Sequence, residues 1–268
     1  MEETHPSSSD SSRLDPGLAR RLHKALTGSR EELFQCLLDP TGEVLQAALK
    51  NPALTSDHLL TLLKRRDLPE DLLKAVSRLE LTAGSHPLKL ALAKNPGTPG
   101  PVIQALLPQL YLFELVALCY LPGVTPDQRL AAERIILQRL PVLALGEKLT
   151  LARRGTPAVV GELLKEGTPQ ILEACLTSPR LKEVAIFQFL NSAKATAESI
   201  SNIARHPRWK DRPNLRLAIL RNPKTPTIWY TLSLGKLSRT DLRGLLQSKR
   251  LNSEQTRQVE TELARRGG

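Results

Sequence analysis

A short phrase that recurs along the chain constrains its fold more than any other feature. Lys-Asn-Pro-Ala-Leu-Thr begins at residue 50, Lys-Asn-Pro-Gly-Thr-Pro at residue 94 and Arg-Asn-Pro-Lys-Thr-Pro at residue 221. Weaker copies place Thr-Pro at residues 125, 156 and 168, Ser-Pro at 178 and His-Pro at 206. Self-similarity of this kind indicates a fold built from stacked copies of one small structural unit.

The phrase has the composition of a joint between two helices. A lysine or arginine before the asparagine suits the negative C-terminal end of a helix dipole. The proline that follows forces the asparagine out of helical geometry. The threonine is expected to cap the next helix through its hydroxyl, and a proline after it fits the first helical turn, where no N–H is needed. Most of the 20 prolines are therefore predicted to separate helices rather than to break them.

Between the joints, apolar residues recur with the period of an amphipathic helix. Aromatic residues make up only 3% of the chain, whereas Leu, Ala and other good helix formers are abundant. In the segment 125–141 the predicted apolar stripe is Leu130, Ala131, Ile135, Leu137 and Leu140. Helices are predicted over residues 16–27, 30–38, 43–50, 55–66, 68–80, 87–94, 109–120, 125–141, 145–154, 156–165, 168–176, 181–190, 194–204, 212–221, 225–235, 238–247 and 252–265.

These helices are short, and short helices are marginal in water unless they pack on neighbours. Stacking neighbour upon neighbour gives an α-solenoid, in which each unit covers the apolar face of the next. The sequence therefore predicts an all-α solenoid that forms a single domain over residues 14–266, and a compact helical bundle is the alternative. Residues 1–13 are polar and acidic, and we predict that they form a disordered tail. Residues 82–87 are the loosest internal joint.

The joints resemble those of a known class of repeat proteins. The closest phrases are Leu-Gly-Glu-Lys-Leu-Thr-Leu-Ala-Arg-Arg from residue 145, His-Pro-Arg-Trp from 206, Arg-Asn-Pro-Lys-Thr-Pro from 221 and Leu-Ser-Arg-Thr-Asp-Leu-Arg from 237. In these phrases the chain resembles bacterial HEAT-like and leucine-rich-repeat-variant α-solenoid proteins, closely over about residues 145–265 and loosely elsewhere. The resemblance implies a right-handed superhelix of degenerate HEAT-like repeats and says little about activity.

The cysteines bear on cofactors and on cellular location. Some leucine-rich-repeat-variant proteins carry an N-terminal cysteine cluster that holds an iron–sulfur centre, but the first cysteine here is Cys36 and it has no neighbour. Cys119 and Cys175 also stand alone in apolar helical segments, a pattern typical of buried thiols rather than of disulfides. The sequence therefore predicts no cofactor and a reducing compartment, the cytoplasm.

Patterns that carry catalysis are missing from the sequence. No two His or Cys residues have the spacing of metal ligands, and there is no His-Glu-x-x-His motif and no Gly-rich phosphate loop. The acidic pairs at residues 31–32 and 70–71 fit helix starts, where carboxylates favour the positive end of the dipole. No apolar run approaches the ~20 residues of a membrane-spanning helix. We therefore expect a protein that is not an enzyme, with no small-molecule substrate and no membrane contact.

The net charge of +11 is concentrated in the C-terminal part of the chain. Residues 166–266 hold 18 Lys and Arg against 9 Asp and Glu, whereas residues 1–165 hold 20 against 18. Such a cluster can neutralise nucleic-acid phosphates, although it also suits a soluble basic surface. The candidate binding residues are Arg205, Arg208, Lys210, Arg212, Arg216, Arg221 and Lys224.

Two functions follow from these features. The leading prediction is a non-catalytic scaffold or adaptor whose surface binds another protein, and the alternative is binding of a nucleic-acid backbone by the basic C-terminal part. Trp209 is predicted to pack between neighbouring helices with its N–H hydrogen-bonded, rather than to form an exposed stacking platform. Trp229 and Tyr230 are predicted to continue an apolar helical stripe with Ile228 and Leu232.

Overall fold

The structure of the protein is a computed structural model that describes residues 15–267. These residues form nineteen α-helices, three short 3-10 helices and no β-strand, so the predicted all-α class is confirmed. The predicted tail over residues 1–13 lies outside the described residues. The chain divides into two compact units, and the boundary between them in the sequence falls between Ile135 and Ile136, within helix α10. The single domain over residues 14–266 stays a prediction.

The first unit has a core of buried leucines, among them Leu33, Leu59, Leu72 and Leu92. Full burial of one such side chain stabilises the fold by about 1.5–3 kcal/mol. The helices of this unit are α1 Pro16–Thr27, α2 Arg30–Cys36, α3 Gly42–Ala48, α4 Ser56–Leu62, α5 Glu70–Arg78, α6 Glu80–Gly84, α7 His86–Lys94, α8 Gly100–Leu106, α9 Leu112–Tyr120 and the greater part of α10 Pro126–Arg139.

In the second unit, alternate helices lie side by side in two rows, with α12, α14, α16 and α18 in one row and α11, α13 and α15 in the other. Its C-terminal core packs Leu220, Tyr230 and Leu242 against one another. The helices of this unit are α11 Leu145–Arg154, α12 Pro157–Leu164, α13 Pro169–Thr177, α14 Glu183–Leu190, α15 Ala197–Arg205, α16 Pro213–Arg221, α17 Thr227–Ser233, α18 Arg239–Gln247 and α19 Ser253–Gly267.

The asparagine of each recurring phrase binds the backbone of the preceding helical layer. The Nδ2 atom of Asn95 donates to the carbonyls of Leu63 and Arg65 at 3.1 and 2.7 Å, and its Oδ1 atom accepts from the N–H of Gly97 at 3.0 Å. The other two asparagines of the phrase bond in the same way to carbonyls 23 to 32 residues earlier. The last carbonyls of a helix have no partner within that helix, and the asparagine supplies one.

Other side chains make the same kind of bond, and most of them lie outside the three Asn-Pro phrases. Each of them donates to backbone carbonyls that lie 26 to 33 residues earlier in the same unit. The structural repeat is therefore more regular than the sequence phrase, because several side chains can make this bond. These donors are Arg65, Gln128, Trp209, Lys224, Gln255 and Arg266.

The threonine bonds the preceding helix in two of the three strict phrases. The hydroxyl of Thr98 donates to the carbonyl of Leu92 at 2.7 Å, and the hydroxyl of Thr225 donates likewise to the carbonyl six residues before it. The N-cap of the following helix is Pro99 or Pro226, and no side chain caps these two helices. The predicted capping by Thr98 and Thr225 is therefore wrong, because proline occupies the cap position.

Threonine capping is confirmed at two weaker copies of the phrase. The hydroxyl of Thr156 accepts from the N–H of Val159 at 3.3 Å at the start of α12. The hydroxyl of Thr125 accepts from the N–H of Gln128 at 3.3 Å, and the side-chain Oε1 atom of Gln128 accepts from the N–H of Thr125 at 2.9 Å. The same residue type thus bonds the preceding helix where the proline after it is the N-cap, and caps the next helix where that proline is the first helical residue.

We expect Thr98→Val and Thr225→Val each to lower the free energy of unfolding by about 1 kcal/mol, because each removes the side-chain hydrogen bond to a buried helix carbonyl and leaves that carbonyl only one backbone N–H donor. Urea denaturation followed by circular dichroism measures this loss. Serine at the same positions keeps the hydroxyl, so the Thr→Ser variants should retain most of the stability. Equal stability of the Val variants and the wild type would show that these hydrogen bonds contribute nothing.

Candidate functional site

The seven predicted binding residues lie around helix α16, but two of them have structural partners. Arg208 donates to three backbone carbonyls in residues 178–181, just after α13. Its guanidinium carbon lies 4.3 Å from the centroid of the Trp209 ring. The ammonium of Lys224 donates to two carbonyls between α14 and α15, at 2.9 and 3.0 Å. Both cations therefore stabilise joints between helices, although their charges remain at the surface.

Three other predicted residues, Arg205, Lys210 and Arg216, line one cavity of about 260 Å³ together with Lys236. We call this cavity, with its four cations, the basic cavity. Its cations come from separate segments: the end of α15, the turn before α16, α16 itself and the 3-10 turn after α17. The half-buried ring of Trp229 forms part of the wall.

The remaining two predicted residues lie apart from the basic cavity. Arg212 is exposed at the N-cap of α16 and lines no cavity that we describe. Arg221 lies at the last position of α16, and it faces the opposite side of the helix from Arg216. The structure thus divides the seven predicted residues into two cations that bond joints, three that line the basic cavity, Arg221 in a groove and the exposed Arg212.

This groove runs between α14, α16 and α18, and we call it the α16 groove. Two adjoining hollows of about 760 and 480 Å³ form it, and they share Phe187 and Arg221. The groove is lined by Glu183, Val184, Phe187, Gln188, Asn191, Asn214, Leu217, Ala218, Arg221, Gly244, Gln247, Ser248 and Arg250.

The α14 wall of the groove is apolar and exposed. Val184 is 64% exposed and Phe187 is 42% exposed. Their spacing of three residues puts them on one face of the helix, and the half-buried Leu217 of α16 lines the same hollow. Neighbouring aromatic and aliphatic side chains at a surface are typical of a binding site for a protein partner.

Arg221 lies at the centre of the groove without a partner. Its Nε atom is buried and makes no hydrogen bond, and within residues 15–267 no side chain forms an ion pair with its guanidinium. Gly244 faces it from α18: a Cβ at that position would lie 4.0 Å from Nη2 of Arg221. The missing side chain therefore leaves space beside the guanidinium, and that space opens into the groove.

The groove is cationic as well as apolar. Arg250 also lines it, and its guanidinium donates to Oδ1 of Asn191 at 3.3 Å. Glu183 is the only carboxylate in the lining. A charge that is partly removed from water and left unpaired is unfavourable, and a ligand carboxylate would relieve that cost. Chemically, the groove can accept an anion beside an apolar group.

The cysteines are free and buried, as predicted. Burial raises the pKa of the Cys175 thiol to about 12 and that of the Cys119 thiol to about 11. Both thiols are therefore protonated at neutral pH and unsuited to nucleophilic attack. Among residues 15–267, no three His, Cys, Asp or Glu side chains are grouped to hold a metal ion. No helix in the same range has both the length and the apolar content to cross a membrane.

The tryptophan predictions are confirmed in part. Trp209 is 3% exposed, and its indole N–H donates to the carbonyl of Leu176 at 2.9 Å, so it packs between helices as predicted. Tyr230 is fully buried, and burial raises the pKa of its phenol. Ile228 and Leu232 are exposed, however, so the predicted apolar stripe through them is wrong. Their side of α17 faces away from the core that holds Tyr230.

Comparison with protein-family models, curated proteins and solved structures finds no match to this chain. The resemblance to bacterial HEAT-like and leucine-rich-repeat-variant proteins therefore stays a prediction that rests on the joints.

Sequence analysis missed the apolar half of the α16 groove. The segment Glu-Val-Ala-Ile-Phe-Gln-Phe-Leu from residue 183 is apolar almost all round. The core uses Ile186, Phe189 and Leu190, which leaves Val184 and Phe187 as an apolar surplus on the other face. A helix with two apolar faces is the signal that would have identified this wall.

Proposed function

We propose that the chain is a non-catalytic, cytoplasmic scaffold that binds a protein partner through the α16 groove. The observation that carries the proposal is the unpaired Arg221 guanidinium at the centre of a groove that has an exposed apolar wall. The ligand that fits is a peptide segment with a carboxylate next to an aromatic or aliphatic side chain. The carboxylate would pair with Arg221, and the apolar side chain would pack on Phe187.

Charge complementarity favours an acidic segment over a neutral one. Arg221 and Arg250 both line the groove, whereas Glu183 is its only carboxylate. Arginine can hold a carboxylate through two parallel hydrogen bonds, and such charge-assisted bonds are stronger than neutral ones. Aromatic residues and arginine are also the residue types that dominate binding energy at protein interfaces.

The same proposal includes the form of the scaffold, a right-handed α-solenoid of degenerate HEAT-like repeats of the bacterial class named above. This form is supported by a recurring hydrogen bond, in which a side chain at a joint donates to backbone carbonyls 26 to 33 residues earlier in the chain. A bond that recurs at a near-constant separation is what stacked repeats of equal size require, because each repeat contacts only its neighbours.

Selection from a display library of random twelve-residue peptides tests the proposed ligand chemistry. We expect the selected peptides to share an Asp or Glu within a few residues of Phe, Trp, Leu or Ile. Arg221→Gln should weaken their binding at least tenfold, since a hydrogen bond to a charged group contributes about 1.5–3 kcal/mol. Fluorescence anisotropy with a labelled peptide measures the affinity.

The matched control is Arg239→Gln. Arg239 is exposed at the start of α18 and does not line the groove, so this variant removes the same charge from the same unit. We expect the control to bind within about twofold of the wild type in 0.15 M salt, where distant exposed charges are largely screened. Selected peptides without an acidic residue, or equal losses in the two variants, would contradict the proposal.

A further inference from the structure

The basic cavity gathers four cations that lack carboxylate partners. Lys210, Arg216 and Lys236 make no ion pair and no side-chain hydrogen bond with any residue in the described range 15–267. Arg205 uses only its Nε atom, which donates to the carbonyl of Ser201 at 3.1 Å. Like charges that share a small cavity repel one another, and an anion placed among them would relieve this repulsion.

The lining residues and the net charge of the cavity suit a compact anion. Asp211 is the one carboxylate in the lining, so the lining carries a net charge of +3. Trp229 forms a fixed part of the wall, because its indole N–H donates to Oγ of Ser201 at 2.9 Å. The volume of about 260 Å³ is smaller than that of either hollow of the α16 groove.

We propose that the basic cavity binds a phosphate monoester group. At neutral pH a monoester carries a charge of about −1.5 to −2 and has three acceptor oxygens, which suits several converging donors better than a single charge does. A diester in a nucleic-acid backbone carries one charge and continues into chain on both sides, so it fits a small cavity less well. This site is separate from the α16 groove, because Arg216 and Arg221 face opposite sides of α16.

The two tryptophans of the chain provide a site-specific readout. Trp229 lines the cavity and Trp209 is buried at another joint. We expect inorganic phosphate, added to the ¹⁵N-labelled full chain at constant ionic strength, to shift the indole N–H resonance of Trp229 in a saturable manner. The resonance of Trp209 should stay in place, and Trp229→Phe assigns the two signals. Chloride should move neither signal.

The variant that tests the cations is Arg216→Gln/Lys236→Gln. It should weaken phosphate binding at least tenfold, because it removes two charged donors. Arg239→Gln/Arg243→Gln removes two exposed cations of α18 outside the cavity and should bind phosphate like the wild type. Both double variants must show the helical circular dichroism of the wild type before they are compared.

Three probes distinguish the source of the phosphate. Equal affinity for inorganic phosphate and O-phosphoserine supports a small phosphorylated ligand, whereas at least tenfold tighter binding of a phosphoserine peptide supports a phosphorylated protein. Either result supports the monoester site. An unmoved Trp229 resonance, or an unphosphorylated thymidine oligonucleotide that binds tighter than every monoester, would overturn the proposal. The latter result would favour the nucleic-acid function instead.

Discussion

The variant Trp209→Ala is expected to lower the free energy of unfolding by about 3–5 kcal/mol, the usual cost of truncating a buried large aromatic residue. The indole is 3% exposed, and its N–H satisfies the carbonyl of Leu176, which belongs to α13 and lies 33 residues earlier in the chain. Truncation would therefore leave both a cavity and an unpaired buried carbonyl. The guanidinium of Arg208 would also lose the ring on which it lies. Chemical denaturation monitored by circular dichroism measures the change.

Two further variants separate packing from hydrogen bonding at this joint. Trp209→Phe fills part of the space but cannot donate, so we expect an intermediate loss of about 1–3 kcal/mol from the unpaired carbonyl. Trp229→Ala removes a half-buried indole of the same unit and should be clearly less harmful than Trp209→Ala. If the two alanine variants were equally stable, the role of Trp209 as the centre of a joint would be refuted.

Asn95→Ala is expected to lower the free energy of unfolding by roughly 3 kcal/mol, because each buried group left unpaired costs about 1–3 kcal/mol. Asn95 is 3% exposed and satisfies two carbonyls just after α4 and one N–H of its own turn. The estimate exceeds that for Thr98→Val because three backbone groups lose a hydrogen bond rather than one.

Asn95→Asp gives a sharper test of the same joint. The carboxylate can still accept from the N–H of Gly97 but cannot donate to either carbonyl. We therefore expect it to be at least as destabilising as alanine at neutral pH. Asn202→Ala is the control, since that asparagine is half-buried and its side chain makes no hydrogen bond within the described chain. An Asn95→Asp protein as stable as the wild type would show that donation to the carbonyls does not hold the joint.

The joints and the helical class follow from local chemistry, which is why the sequence predicts them. All seventeen predicted segments coincide with helices. The two missed helices are α6 and α8. In α8, Pro101 takes the second helical position, where its missing N–H has no effect.

Local sequence patterns do not predict which face of α10 is buried. The predicted stripe included Leu130, which is 61% exposed. The buried line runs instead through Gln128, Ala132 and Ile136. Gln128 caps α10 and also donates to the carbonyl of Asn95 at 2.9 Å. A polar residue thus sets which face of α10 is buried, and hydrophobic periodicity gives no sign of it.

The candidate site was predictable in its charges but not in its geometry. Composition identified the cations, and the fold determines which of them are used by joints, as Arg208 and Lys224 are. The bonding partners of these residues lie about 30 residues away in the chain, so only the packing of helices places them together. The same packing sets Arg221 opposite Gly244, a contact that no local pattern encodes.

The central claim, that a peptide binds in the α16 groove, is tested most directly by calorimetric titration of a selected peptide into Gly244→Trp. An indole at this position would fill the space beside Arg221 while helix α18 keeps its backbone. Gly146→Trp is the matched control, because a Cβ at Gly146 meets nothing within 4 Å and the position lies outside the groove. We predict that Gly244→Trp loses measurable binding and that Gly146→Trp binds like the wild type. Undiminished binding by a folded Gly244→Trp protein would contradict the assignment of the groove.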